Sequence, residues 1–213
     1  NGAYSFSLNR SDTPTFDPGD PFDIDDIITT LISGTIDTDV VYDGTTKEFT
    51  TTTAEGRTSR KKIDTYGRPT EVQIGSLTTA VFTYSGEQLT DIDQGARNTS
   101  FTYSNDRIAS ITNDKSETTS YTYDSNGNVD VMTLPDTREI DFDHDARGRL
   151  TSLTPEGRSA HVFNINSSEF LEEYAPPLIT GVPNVTTDYS YNNDNQLTQI
   201  DRPDGQAIQY AYD

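Results

Sequence analysis

The 213-residue chain contains no cysteine, no tryptophan and a single methionine. Without thiolates it can build neither a disulfide framework nor a cysteine zinc site. Basic residues are scarce: 15 Lys plus Arg stand against 35 Asp plus Glu, a net charge of −20. A surface that acidic repels a polyphosphate, so nucleic acid is not an expected partner. No run of about 18 apolar residues occurs, and no transmembrane segment is expected. Hydrophobic residues make up 31% of the chain, too few for one thick core over this length. It opens Asn1-Gly2-Ala3, with no initiating Met and no basic-then-apolar leader, and is expected to be a processed chain or an excerpt.

What is present points to β-structure. There are 33 Thr, 18 Ser, 12 Tyr and 9 Phe, residues of which Thr, Tyr and Phe suit a pleated, half-buried surface, while good helix formers are few. Asp outnumbers Glu 25 to 10, and Arg outnumbers Lys 11 to 4. Asp belongs in turns, where its carboxylate caps its own backbone. Much of the negative charge is therefore turn chemistry.

Laid against itself, the chain repeats a phrase. Tyr121-Thr122-Tyr123-Asp124-Ser125-Asn126-Gly127-Asn128-Val129 is its cleanest copy, and Phe142 to Leu150 repeats it with His144 in place of the second Tyr. The second anchor of each copy falls at Tyr42, Ile63, Tyr84, Tyr103, Tyr123, His144, Ile165, Tyr191 and Tyr212, with separations of 21, 21, 19, 20, 21, 21, 26 and 21 residues. The long interval holds Tyr174-Ala175-Pro176-Pro177-Leu178, read as a loop inserted between Tyr174 and Val182. Midway between anchors comes a second turn signal, as in Pro155-Glu156-Gly157 and Pro203-Asp204-Gly205. Pro presets φ at one corner and Gly supplies positive φ at the next. Gly67, Gly127, Gly148, Gly157 and Gly205 are the expected turn glycines.

Between turns the residues alternate, which predicts two short strands per unit of about 21 residues. Eight intervals give about sixteen strands. An open twisted sheet rarely exceeds about ten, so this one is expected to coil into a curved or spiralling wall. The aromatic ladder is expected at Tyr84, Tyr103, Tyr121, Tyr123, Phe142, Tyr189, Tyr191, Tyr210 and Tyr212. Residues 1–36 stand outside the rhythm as an acidic cap or junction, with a short helix expected over Asp23 to Gly34 from its acidic first turn, apolar stripe and exit glycine. Residues 37–213 form the repeat region.

Chemistry-bearing clusters are few. Asp141, Asp143 and Asp145 alternate along one strand and the start of a turn, which places them on one solvated face and not in a catalytic pair. His144 fills a Tyr position and is expected as a stacked ring instead of a metal ligand; His161 has no repeat partner and is expected on a strand surface. Asp17, Asp20, Asp23, Asp25 and Asp26 crowd one stretch and would admit weak calcium through hard oxygen ligands, although EF-hand spacing is absent. A capping, solvated acidic junction is the default there. Arg57, Arg60, Lys61 and Lys62, the one basic cluster, are expected to discourage edge pairing or to pair with the acidic neighbours. No other cofactor and no enzymatic activity are expected.

The phrase Tyr-x-Tyr-Asp-x-x-Gly-Arg/Asn-Leu, alternating with Pro-Asp/Glu-Gly over residues 37–213, resembles the YD repeat of the RHS (rearrangement hotspot) family. Tyr121 to Val129, Phe142 to Gly157 and Pro203 to Asp213 carry it most clearly; His144, Ile165 and Glu169 depart from it. The resemblance implies an all-β shell as found in bacterial polymorphic toxins, in the B and C components of insecticidal toxin complexes and in teneurins. It implies a structural segment, secreted or at a bacterial cell surface, that encloses or presents a cargo such as a toxin domain within a larger polypeptide. The shell-closing aspartyl site of that family has no match here. The alternative expectation is an extracellular adhesion or carbohydrate-binding module, with binding built on the insertion at Tyr174 to Val182.

Overall fold

The computed structural model describes residues 4–10, 27–33, 36–178 and 186–212. Among them the chain is all-β. Strands β1 (Tyr4–Arg10), β2 (Ile27–Ser33) and β3 (Ile36–Asp43) precede sixteen more, two for each interval between anchors. These are β4 (Glu48–Thr53), β5 (Thr58–Ile63), β6 (Pro69–Ile74), β7 (Ala80–Ser85), β8 (Gln88–Gln94), β9 (Arg97–Ser104), β10 (Arg107–Thr112), β11 (Thr118–Tyr123), β12 (Val129–Thr133) and β13 (Glu139–His144). They continue as β14 (Leu150–Pro155), β15 (His161–Ile165), β16 (Leu171–Ala175), β17 (Thr187–Tyr191), β18 (Leu197–Asp201) and β19 (Ala207–Gln209).

Two compact units divide the chain: Asn1–Arg107 with Ile111–Ser116, and Ile108–Ser110 with Glu117–Asp213. In the first, β1 to β9 pair in chain order and antiparallel, as in β3 with β4 and β7 with β8. In the second, β11 to β19 do the same. Such a meander needs only short turns between neighbours, which is why a 21-residue unit suffices for two strands.

Period two sorts most of the side chains, with exceptions such as Val81 opposite Asp93 and Val131 opposite Asp141. One face pairs apolar with apolar residues across each hairpin: Phe82 with Ile92, Tyr121 with Met132, Phe142 with Leu153, Tyr189 with Ile200. The other pairs polar with polar: Thr83 with Asp91, Asp143 with Ser152, Asn164 with Glu173. The apolar rows are half-buried by strand neighbours, and among the described residues Tyr42 (2% exposed) and Ile63 (5%) are the buried core. Both units are thin, as the low apolar content requires.

The expected N-terminal helix is corrected where it can be seen. Residues 23–26 and 34 lie outside the described residues, but Ile27–Ser33 are strand β2, paired over seven residues with β1 and over seven with β3. The segment Ile27-Ile28-Thr29-Thr30-Leu31-Ile32 is rich in β-branched residues, which lose rotamer freedom in a helix and fit a strand. Two flanking ladders then satisfy its backbone on both sides. Pairing thus runs unbroken across the 36/37 boundary drawn from the repeat rhythm.

Candidate functional site

The repeating element is a clasp that joins one hairpin to the next. Six anchors lie at the end of the first strand of a hairpin, or one residue before it, where the register shifts by a bulge: Tyr84 then faces Leu89, Tyr123 faces Val129, His144 faces Leu150, Ile165 faces Leu171 and Tyr191 faces Leu197. Ile63 faces Pro69 in the same way. The hydroxyl of the next Tyr anchor donates to the backbone carbonyl of that facing residue. Tyr84 reaches Pro69 at 2.9 Å, Tyr103 reaches Leu89 at 2.7 Å, Tyr123 reaches Ile108 at 2.7 Å, Tyr191 reaches Leu171 at 2.9 Å and Tyr212 reaches Leu197 at 2.8 Å. A large ring fills the gap between hairpins while its polar tip satisfies a carbonyl. Partial burial pushes the Tyr84 and Tyr191 hydroxyls above their ordinary pKa.

Three anchors break the series. His144 cannot reach as far as a phenol, and its Nδ1 is buried without a hydrogen-bond partner. Ile63 and Ile165 have no donor at all. Tyr42 opens the row by packing on Phe49, ring centroids 4.6 Å apart.

After Ile63, Tyr123, His144, Ile165 and Tyr191, the next residue builds the turn. Asp64 Oδ1 accepts the Tyr66 and Arg68 amides at 2.8 and 3.0 Å, and its Oδ2 takes the Arg68 guanidinium at 2.7 Å. Asp124 repeats this with Asn126 and Asn128, and Asp145 with Arg147 and Arg149. Asn166 and Asn192 keep the two backbone bonds without the charge. The bonds from Arg149, first its guanidinium and then its amide, hold the Asp145 carboxyl down at about 2. Partial burial pushes Asp64 upward, but bonds from Arg68 and Tyr66 outweigh it and leave the carboxyl below its ordinary value.

The fourth turn position requires positive φ, met by Gly67 (79°), Gly127 (89°), Gly148 (79°) and, unexpectedly, Glu169 (71°) and Asn195 (62°). The Pro-Asp-Gly signal expected as a second kind of turn mostly shares this backbone. Arg202 N–H donates to Gln206 and Gly205 N–H to Arg202, as Asp64 N–H donates to Arg68 and Gly67 N–H to Asp64. Leu134 to Arg138 closes identically, with Thr137 at φ 71°. What differs is where the Asp sits, at the first position or the third, as in Asp136 and Asp204. Gly157 is the exception among the expected glycines: its φ is 67°, but its turn closes from Arg158 N–H to the Pro155 carbonyl.

Neighbouring turns are also stitched side to side. Arg68 Nη1 donates to the Gly86 carbonyl at 2.6 Å, Gln88 Nε2 to Asp106 at 3.1 Å, and Arg147 pairs with Glu169. A Cβ on Gly148 would lie 3.0 Å from Asn128 Oδ1.

Asp141 and Asp143 are exposed on the polar face, whereas Asp145 turns away into its own loop, so the three carboxylates share no site. His161 is more than a surface residue: its Nδ1 lies 2.7 Å from the Tyr174 hydroxyl and the rings stack, while Phe163 packs on Tyr174 at 5.5 Å. Nothing in the repeat spacing signals that pair. In the basic cluster, Arg60 pairs with Glu48 and Lys62 with Glu71 across strands, while Lys61 covers the Phe49 ring on the other face at 4.9 Å. Asp17, Asp20, Asp23, Asp25 and Asp26 lie outside the described residues, as does most of the insertion after Leu178. Among the described residues no three His, Asp or Glu side chains gather as metal ligands, and no helix is long and apolar enough to cross a membrane.

Comparison with known proteins agrees with this construction. The family model of the teneurin YD-shell matches residues 29–213. No curated protein sequence matches. Among solved structures, the chain is similar to TcdB2-TccC3 without its hypervariable C-terminal region, at 18% identity and a TM-score of 0.56, covering 86% of this chain and 10% of that one. It is similar also to TcdB2-TccC3-Cdc42, at 16% identity and a TM-score of 0.50, covering 83% of this chain and 12% of that one. These likenesses are of fold, and the chain spans about a tenth of the length of each structure. With the match running from the second strand to the last residue, the protein belongs to the teneurin YD-shell family, whose members are structural shells.

Proposed function

We propose that this chain is a wall segment that encloses or presents a cargo, such as a toxin domain, carried by the same larger polypeptide. Its action is steric and needs no reacting group of its own. The observation that supports this reading is the clasp: a Tyr hydroxyl bound to a carbonyl of the preceding hairpin, recurring at Tyr84, Tyr103, Tyr123, Tyr191 and Tyr212. A sheet whose hairpins are paired in sequence, and at five anchors clasped to the hairpin before, opens reluctantly and gives proteases few extended segments. Such a wall works outside the cell that makes it, secreted or at a bacterial surface.

The test is protection. In the longer polypeptide, a protease site placed in the segment enclosed by the repeats should resist cleavage, and Tyr103→Ala with Tyr123→Ala should expose it. Cleavage as fast as in a free peptide carrying the same site would overturn the proposal.

A further inference from the structure

Tyr66 departs from the repeat. Its position in the other Asx turns is taken by Asn126, Arg147, Ser168 and Asp194, none aromatic. Its ring is 79% exposed, yet its foundation is fixed. The Tyr66 amide donates to Asp64, and the Arg68 guanidinium lies 5.0 Å from the Tyr66 ring and 4.3 Å from that of Tyr84. Every nitrogen of that guanidinium is engaged: Nε and Nη2 by Asp64, Nη1 by the Gly86 carbonyl. The tip of the turn therefore offers a flat ring that needs little ordering before it can bind something.

The neighbouring turn leaves room beside it. A Cβ on Gly86 would meet nothing within 4 Å, and the exposed Glu87 carboxylate lies next to it. Tyr66, Arg68, Gly86 and Glu87 line an open, largely apolar cavity of about 410 Å³, within the range of small-ligand sites.

We propose that this cavity binds a neutral pyranose of a surface or extracellular glycan. The apolar face of the sugar ring stacks on Tyr66, and its hydroxyls donate to the Glu87 carboxylate and meet the Tyr66 hydroxyl. The charges choose among ligands. Glu87 repels carboxylated or sulfated sugars. A cationic ligand is disfavoured because the Arg68 guanidinium already occupies one face of the Tyr66 ring and adds like charge beneath it. The proposal does not depend on the wall reading, since a wall can carry a glycan contact or lack one.

Titration of the isotope-labelled 213-residue chain with cellohexaose, maltohexaose and chitohexaose, followed by NMR, tests it. At least one of these neutral probes should shift the amides of residues 64–68 and 85–88. Tyr66→Ala and Glu87→Gln should each weaken that binding by about tenfold, while Tyr210→Ala, at an exposed Tyr outside the cavity, should leave it unchanged. Glu87→Gln preserves shape, so a loss there cannot come from unfolding. Three silent neutral probes, binding untouched by Tyr66→Ala, or a stronger response to sialyllactose or hexalysine would overturn the proposal.

Discussion

At the scale of single residues, the turns show both what the repeat demands and where this chain departs from it. Thr137 holds a φ of 71° at a position that glycine fills in most copies. A β-branched residue is at its worst there, because its Cβ crowds the backbone in the left-handed region. Thr137 is exposed, so nothing in packing opposes its replacement. Thr137→Gly should raise stability by about 1 kcal/mol, read as a higher midpoint in urea with an unchanged slope. Glu169→Gly should gain less, since it also removes the exposed pair with Arg147. Asp145 makes the complementary case. Its carboxyl titrates at about 2 in the fold, below its ordinary value, so its charged form stabilises the folded state. That contribution is complete above about pH 4 and fades as pH falls toward 2. Asp145→Asn keeps the two backbone bonds, as Asn166 and Asn192 show, and loses the ion pair with Arg149. The variant's melting temperature should therefore depend less on pH between about 4 and 2 than that of the parent chain.

At the scale of the hairpin, the unit of construction is a strand pair plus the ring that ties it to the pair before. Tyr123→Phe keeps the ring and removes its hydrogen bond to Ile108, which should lower stability by about 1 kcal/mol. His144→Tyr should act in the other direction, by replacing a ring whose Nδ1 is buried and unbonded with one that can reach the carbonyl of Val129. Equal melting temperatures for parent and both variants would show the clasp to be energetically idle. The rhythm of these hairpins is legible in the sequence because Tyr, Asp and Gly each meet a need that recurs every unit: a ring to fill, a carboxylate to cap, a backbone to turn left. The clasp itself is not legible, since its acceptor is a backbone carbonyl that any residue supplies and a bulge decides which one. The same limit explains Ile27–Ser33. Acidic residues before an apolar stripe read as a helix start, and only the ladders with β1 and β3 reveal that the backbone is satisfied as a strand. The Tyr66 cavity escapes notice because Gly86 and Glu87 stand eighteen or more residues from Arg68 and meet it only through stacking of successive turns.

At the scale of the molecule, part of the net charge of −20 lies along the strands of the second unit. In the second unit, strands β11 to β19 contain no Lys or Arg at all, while Glu139, Asp141, Asp143, Glu173, Asp188 and Asp201 lie on their polar face. Four of these have neutral hydrogen-bond partners: Ser152 for Asp143, Asn164 for Glu173, Thr186 for Asp188 and Gln199 for Asp201. Among the described residues, ion pairs of this unit sit in its turns, at Asp136, Asp145, Glu169 and Asp204. In this unit the Lys and Arg cations are thus confined to where the backbone bends, and the strands carry acid without them. Asp188 and Asp201 stand directly opposite each other, an arrangement that destabilises a strand pair by a few tenths to about 1 kcal/mol. Asp188→Asn removes one charge and keeps an oxygen for Thr186, so it should raise the melting temperature at neutral pH. Because the opposing charges are partly exposed, salt screens them. The gain should therefore shrink as sodium chloride is raised, while the parent chain itself becomes more stable; a gain that persists undiminished in high salt would mean that side-chain packing, and not repulsion between carboxylates, is what the substitution relieves.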